Sequence, residues 1–143
     1  MGTPVVHFEI MSRNGKRAHD FYTSLFQWNI NSDNPMNYGL VNTGLKKGIQ
    51  GGIGQTDANT PPCVTFYVGV EDIQGYLDKA VTLGGRIVVP VTEIPNMVTF
   101  AQFADLDGNV VGLVKNSMPV ARKTKKASGK KKAAKGKKKS RRR

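Results

Sequence analysis

The chain has 143 residues, enough for one domain with its own core, and 22 Lys and Arg against 10 Asp and Glu give a formal net charge of +12. That charge is local: residues 121–143 hold 14 of the basic residues and no acid, leaving residues 1–120 with 8 basic and 10 acidic side chains, a net of −2. The composition excludes a membrane-spanning run of 18 apolar residues, an export signal, and, with Cys63 as the single cysteine, any internal disulfide framework or multi-cysteine zinc pattern. A cytosolic protein is expected.

The chain opens on a β-prone run, Val5-Val6-His7-Phe8-Glu9-Ile10, in which alternation puts His7 and Glu9 on one face and Val6, Phe8 and Ile10 on the other. A helix follows. Ala18, Phe21, Tyr22, Leu25 and Phe26 recur at helical spacing behind a cap at Ser12 or Asn14, and the Phe21/Leu25 stripe is expected to be buried. Short strands are expected at about residues 27–32, 37–42 and 48–54, separated by turn-forming Asn, Asp, Pro and Gly.

The same order then repeats. Cys63-Val64-Thr65-Phe66-Tyr67-Val68 is the second β-prone run, with Thr65 standing 58 residues after His7. Ile73, Tyr76, Leu77, Ala80 and Val81 form the second helical pattern, entered at Glu71-Asp72 and closed by Gly84-Gly85. Strands are expected at about residues 86–91, 97–104 and 109–115. A tandem β-α-β-β-β duplication results, of α+β class, over residues 1–116. One helix per module covers one sheet face. The other faces are expected to form a curved mixed sheet around a cleft lined by His7, Glu9, Cys63, Thr65 and Tyr67.

Residues 4 to 115 resemble the vicinal oxygen chelate superfamily, which includes glyoxalase I, bleomycin-resistance proteins and extradiol dioxygenases. The resemblance rests on His7 and Phe21-Tyr22 with Leu25-Phe26-Gln27-Trp28, on Gly51-Gly52-Ile53-Gly54 and Leu83-Gly84-Gly85-Arg86-Ile87-Val88, and on the segment Phe103 to Leu113. Tyr38-Gly39-Leu40-Val41 and Thr92-Glu93-Ile94-Pro95 suit a bacterial branch described as enzymes related to lactoylglutathione lyase. The resemblance implies a divalent metal held by the first and last strands of each module. Of those four positions His7 alone matches: Thr65 and Gly112 stand at two others, and no carboxylate occurs around Gly51-Gly52-Ile53. No cofactor is therefore expected, since one imidazole cannot hold an ion that needs about three protein donors.

His7 and Glu9 are the candidate acid and base, and Tyr38, Cys63, Thr65, Tyr67, Glu93 and Phe103 the candidate ligand contacts. Each has a plainer reading: His7 and Glu9 can bond one another, Thr and Tyr are common in strands, and Cys63 has no neighbouring cation to activate its thiol. Two motifs are dismissed. Gly51-Gly52-Ile53-Gly54 lacks the Lys and helix of a phosphate loop, and Asp105-Leu106-Asp107-Gly108-Asn109 lacks the Gly and Glu a calcium loop needs, so it reads as a hairpin turn.

Residues 117–143 read as a disordered tail whose Lys123, Lys125, Lys126, Lys130, Lys131, Lys132, Lys135, Lys137, Lys138, Lys139, Arg141, Arg142 and Arg143 bind nucleic acid without reading sequence. The leading expectation is a small organic ligand in the cleft, no conventional metal, and a nucleic-acid tether that associates the protein with the nucleoid. Alternatives are a metal-dependent lyase, isomerase or dioxygenase with rearranged ligands, and a non-catalytic DNA-associated module. A homodimer is a candidate assembly.

Overall fold

The computed structural model describes residues 2–116; the basic tail and its nucleic-acid-binding residues lie outside them. The first module comprises β1 (Val5–Ser12), α1 (Gly15–Phe26), β2 (Asn29–Asn31), β3 (Gly39–Asn42) and β4 (Gln50–Gln55). The second comprises β5 (Cys63–Val70), α2 (Ile73–Thr82), β6 (Arg86–Ile94), β7 (Val98–Ala104) and β8 (Val110–Lys115). The α+β duplication is as the sequence leads one to expect.

All eight strands join one mixed sheet in the order β2-β3-β4-β1-β5-β8-β7-β6. The modules meet at its centre, where β1 and β5 run antiparallel with His7 opposite Tyr67 and Glu9 opposite Thr65. Each first strand lies parallel to the last strand of its module, Glu9 beside Gly52 and Tyr67 beside Gly112. Local chemistry fixes the ends of the helices. Asn14 Oδ1 accepts from Arg17 N at 3.0 Å to open α1, and Asp72 Oδ1 accepts from Gly75 N at 3.0 Å to open α2. The β7–β8 connection is a hairpin turn in which Asp105 Oδ1 accepts from the backbone N–H of Asp107 and Asn109, at 2.9 and 2.8 Å.

Two cores lie on the helix side of the sheet. Ala18, Val41 and Ile53 pack with Phe8, Ile10, Tyr22, Trp28 and Ile30 under α1; Val70, Ile73, Leu77, Ala101 and Leu113 pack with Val68 and Phe103 under α2. The expected Phe21/Leu25 stripe is not buried: Phe21 is 59% and Leu25 57% exposed. Helix α1 instead seats Gly15 and Ala18 on the sheet, with half-buried Tyr22 behind them. Gly15 lies against Gln55 of β4, whose Oε1 accepts from Gly15 N at 3.1 Å, and Ala18 packs with Val41 and Ile53. Phe26 packs against Tyr22, stacked, and Trp28, tilted, at centroid distances of 6.2 and 4.9 Å, so the aromatic run forms a cluster at the helix end.

Candidate functional site

The face opposite the helices carries His7 and Glu9 from β1, Thr65 and Tyr67 from β5, and Phe100 and Gln102 from β7. A cavity of about 330 Å³ lies here, lined by His7, Tyr38, Leu40, Tyr67, Phe100 and Val114 and by Met36, Ile94, Asn96, Met97 and Val98. Strands β3 and β6 stand second and last in the sheet order, yet both line it, so the sheet curls around this space. The walls are almost wholly apolar, and apart from Asn96 the polar lining residues, His7, Tyr38 and Tyr67, gather at one end.

That end is a hydrogen-bonded chain. Tyr38 Oη bonds His7 Nε2 at 3.0 Å and donates to Glu9 Oε2 at 2.9 Å. Tyr67 Oη donates to Glu9 Oε1 at 3.2 Å and accepts from Gln102 Nε2 at 2.8 Å. Burial pushes the Glu9 carboxyl above the ordinary carboxylate range, against the opposing pull of its two phenol bonds. Burial also lowers the His7 imidazole, favouring its neutral form. Tyr38 and Tyr67 are driven far up, first by burial and then by the Glu9 charge, and stay protonated.

Other candidates from the sequence are placed differently. Thr65 is buried, its Oγ1 commits its proton to Val110 O at 2.6 Å, tying β5 to β8, and it is not among the residues that line the cavity. Cys63 is exposed at the start of β5 outside the cavity lining, and burial together with the Glu9 charge pushes its thiol up, disfavouring the thiolate. Glu93 pairs with Thr99, whose neighbour Phe100 faces the cleft, so the pair points to the opposite face and Glu93 is exposed there. Phe103 also faces away, packed on the α2 core. Strict alternation along β7 finds Phe100 and Gln102 in its place. Met36, Ile94, Asn96 and Met97 carry no local signal and reach the cavity only because the sheet curls.

The metal implied by the family resemblance does not fit these residues. Gly52 and Gly112 occupy the last-strand positions, and a side chain at either would run into a tyrosine: Tyr38 at Gly52 and Tyr67 at Gly112. The phenols thus fill the space that metal-binding carboxylates would need. His7 Nε2 is engaged by Tyr38, and among the described residues no group of three or more His, Cys, Asp or Glu is placed to hold an ion.

Comparison with known proteins places this geometry in a class. No protein-family model matches the chain. Two relatives, both called "Putative glyoxylase CFP32", one from Mycobacterium bovis and one from Mycobacterium tuberculosis, are 28% identical over 112 residues, covering 73% of this chain. The match spans only 42% of those relatives' length. Among solved structures, methylmalonyl-CoA epimerase from Mycobacterium tuberculosis superposes with a TM-score of 0.60 at 14% identity, covering 82% of this chain and 90% of that one. A glyoxalase/bleomycin resistance protein/dioxygenase superfamily member from Vibrio splendidus 12B01 gives 0.54 at 15% identity, covering 80% and 98%. A structure described as NAD-dependent benzaldehyde dehydrogenase from Legionella pneumophila gives 0.58 at 12% identity, covering 76% and 96%. Names so different on one architecture show that the likeness fixes fold and not reaction. The fold is that of the vicinal oxygen chelate superfamily. The likeness stops at the fold, and the chain's own cleft residues must supply the functional argument.

Proposed function

We propose that the domain binds a small, largely apolar organic molecule in the cleft without a conventional divalent-metal centre. The observation that carries this reading is the 330 Å³ cavity, apolar on its walls and polar at one end. That size and that distribution are those of small-molecule sites, where apolar walls supply affinity and a few convergent polar groups fix orientation. The name of the mycobacterial relatives and the epimerase activity of a structural neighbour support small-molecule work in this cleft. His7 and Glu9 are the groups able to exchange a proton there, with Tyr38, Tyr67 and Gln102 orienting them. A metabolite screen by thermal shift on wild type and His7→Ala tests the reading. At least one compound is expected to raise the wild-type melting temperature and to lose most of that effect in His7→Ala. A screen with no stabilising compound contradicts it.

The tail supplies a second activity in this reading, nonspecific binding of nucleic acid, which would associate a cytoplasmic protein with the nucleoid. Its support is the count of 14 Lys and Arg without an acid in residues 121–143. Lys and Arg displace the counterions condensed on phosphates. Gel-shift titration of the full chain is expected to give a log K against log salt slope near about −5 if about six phosphates are neutralised. A chain ending at Pro119 should lose that binding, and equal affinity of the two chains contradicts the tether. Self-association is the remaining part of the proposal: Val64 and Phe66, 74% and 43% exposed on the helix side of β5, are the apolar surface a homodimer would cover.

A further inference from the structure

The hydrogen-bond chain at the polar end of the cavity has a direction, which proton counting fixes. An ionised Glu9 only accepts, and it takes one bond from each phenol, at 2.9 Å from Tyr38 and 3.2 Å from Tyr67. A phenol has one proton, so both are then committed. Tyr38 Oη must be the acceptor in its 3.0 Å bond with His7, because an oxygen that has given its proton to Glu9 has none left for the imidazole. His7 Nε2 therefore carries the ring proton. In a neutral imidazole the other nitrogen, Nδ1, then bears a lone pair.

No described residue partners Nδ1, and the ring lines the cavity. The atom is not sealed away, since Thr56 Oγ1 is the one buried side-chain polar atom without a partner among the described residues. Gln102 reinforces the polarity from the other side by donating to Tyr67 Oη at 2.8 Å. The polar end thus offers acceptors backed by a buried carboxylate. It has no matching cation: the only ion pair among the described residues is Lys16 with Asp20 on the exposed side of α1. Asn96, the other polar lining residue, sits exposed beside β7, and its amide both donates and accepts, so it sets no preference.

We propose that this cleft selects molecules with an apolar body and a hydrogen-bond donor, a phenol, alcohol or amine, which gives its proton to a bond with His7 Nδ1. Molecules whose polar group is an anionic acceptor, such as a carboxylate or phosphate, are rejected. The inference rests on the small-molecule reading above and narrows it to a ligand class. Tyr38 is a positioning residue in this scheme, holding the imidazole in the tautomer that leaves Nδ1 open.

Titration of the full chain with phenol, anisole and benzoate at about pH 8, followed by NMR, separates the two levels of the reading. Phenol is expected to bind about tenfold tighter than anisole, the worth of one net hydrogen bond, and benzoate more weakly than either. The ¹⁵N shifts of the His7 ring should show the Nε2–H tautomer. In Tyr38→Phe the phenol-to-anisole ratio should fall towards one while anisole binding persists, which shows that the cavity is intact. Equal binding of phenol and anisole in wild type, a preference for benzoate, or an Nδ1–H tautomer overturns the donor selection and leaves the cavity reading standing. If none of the three probes shifts the resonances of Tyr38, Tyr67 and Phe100, the small-molecule reading itself fails.

Discussion

Glu9 is the residue on which the chemistry of the cleft turns, because it is a buried carboxyl held by two phenols and by no cation among the described residues. Burial raises its pKa, so the folded protein holds a proton on Glu9 more tightly than the unfolded chain does. The sign follows from linkage. The contribution is fully present below the unfolded value, about pH 4, and is lost as pH rises through the higher folded value. Glu9→Gln keeps the neutral shape and cannot ionise. The stability of wild type minus that of Glu9→Gln should therefore decline from about pH 4 towards neutrality, measured by urea unfolding at several pH values. A difference that grows with pH contradicts the burial argument.

At the scale of elements, alternation and repeat were the signals the sequence carried most clearly. The 58-residue spacing of His7 and Thr65 reappears as the spacing of β1 and β5, and of the helix starts Gly15 and Ile73. The facing of His7, Glu9 and Tyr67 follows from strand parity, and parity along β7 also picks Phe100 over Phe103 once the strand is anchored. What parity cannot supply is the curl that brings the ends of the sheet together, which is why Met36, Ile94 and Met97 were not foreseen. Helix α1 shows a second limit. Its spacing is compatible with more than one buried stripe, and contacts with Val41 and Ile53, residues remote in sequence, bury the one through Gly15 and Ala18. Substitutions should follow the observed stripe. Ala18→Leu, which overfills the seat against Val41 and Ile53, is expected to cost about 1–3 kcal/mol. Phe21→Ser, at a position 59% exposed, should cost less than about 1 kcal/mol. Chemical unfolding of the two variants checks the order, and a larger loss for Phe21→Ser would favour the stripe that hydropathy alone suggests.

The whole molecule divides its charge between residues 1–120, which are nearly balanced, and residues 121–143, which hold most of its cations. The domain has the vicinal oxygen chelate architecture, while the space beside Gly52 and Gly112 is taken by tyrosine rings. Its central polar group is accordingly a carboxylate–phenol–imidazole chain, and affinity for a ligand should owe nothing to a divalent ion. Titration of phenol into protein dialysed against EDTA, and again after addition of zinc, nickel, manganese or iron, tests this most directly. The account predicts the same dissociation constant in every case, with the resonances of Tyr38 and Tyr67 shifting identically. Binding that disappears on chelation and returns with one of these metals would contradict it.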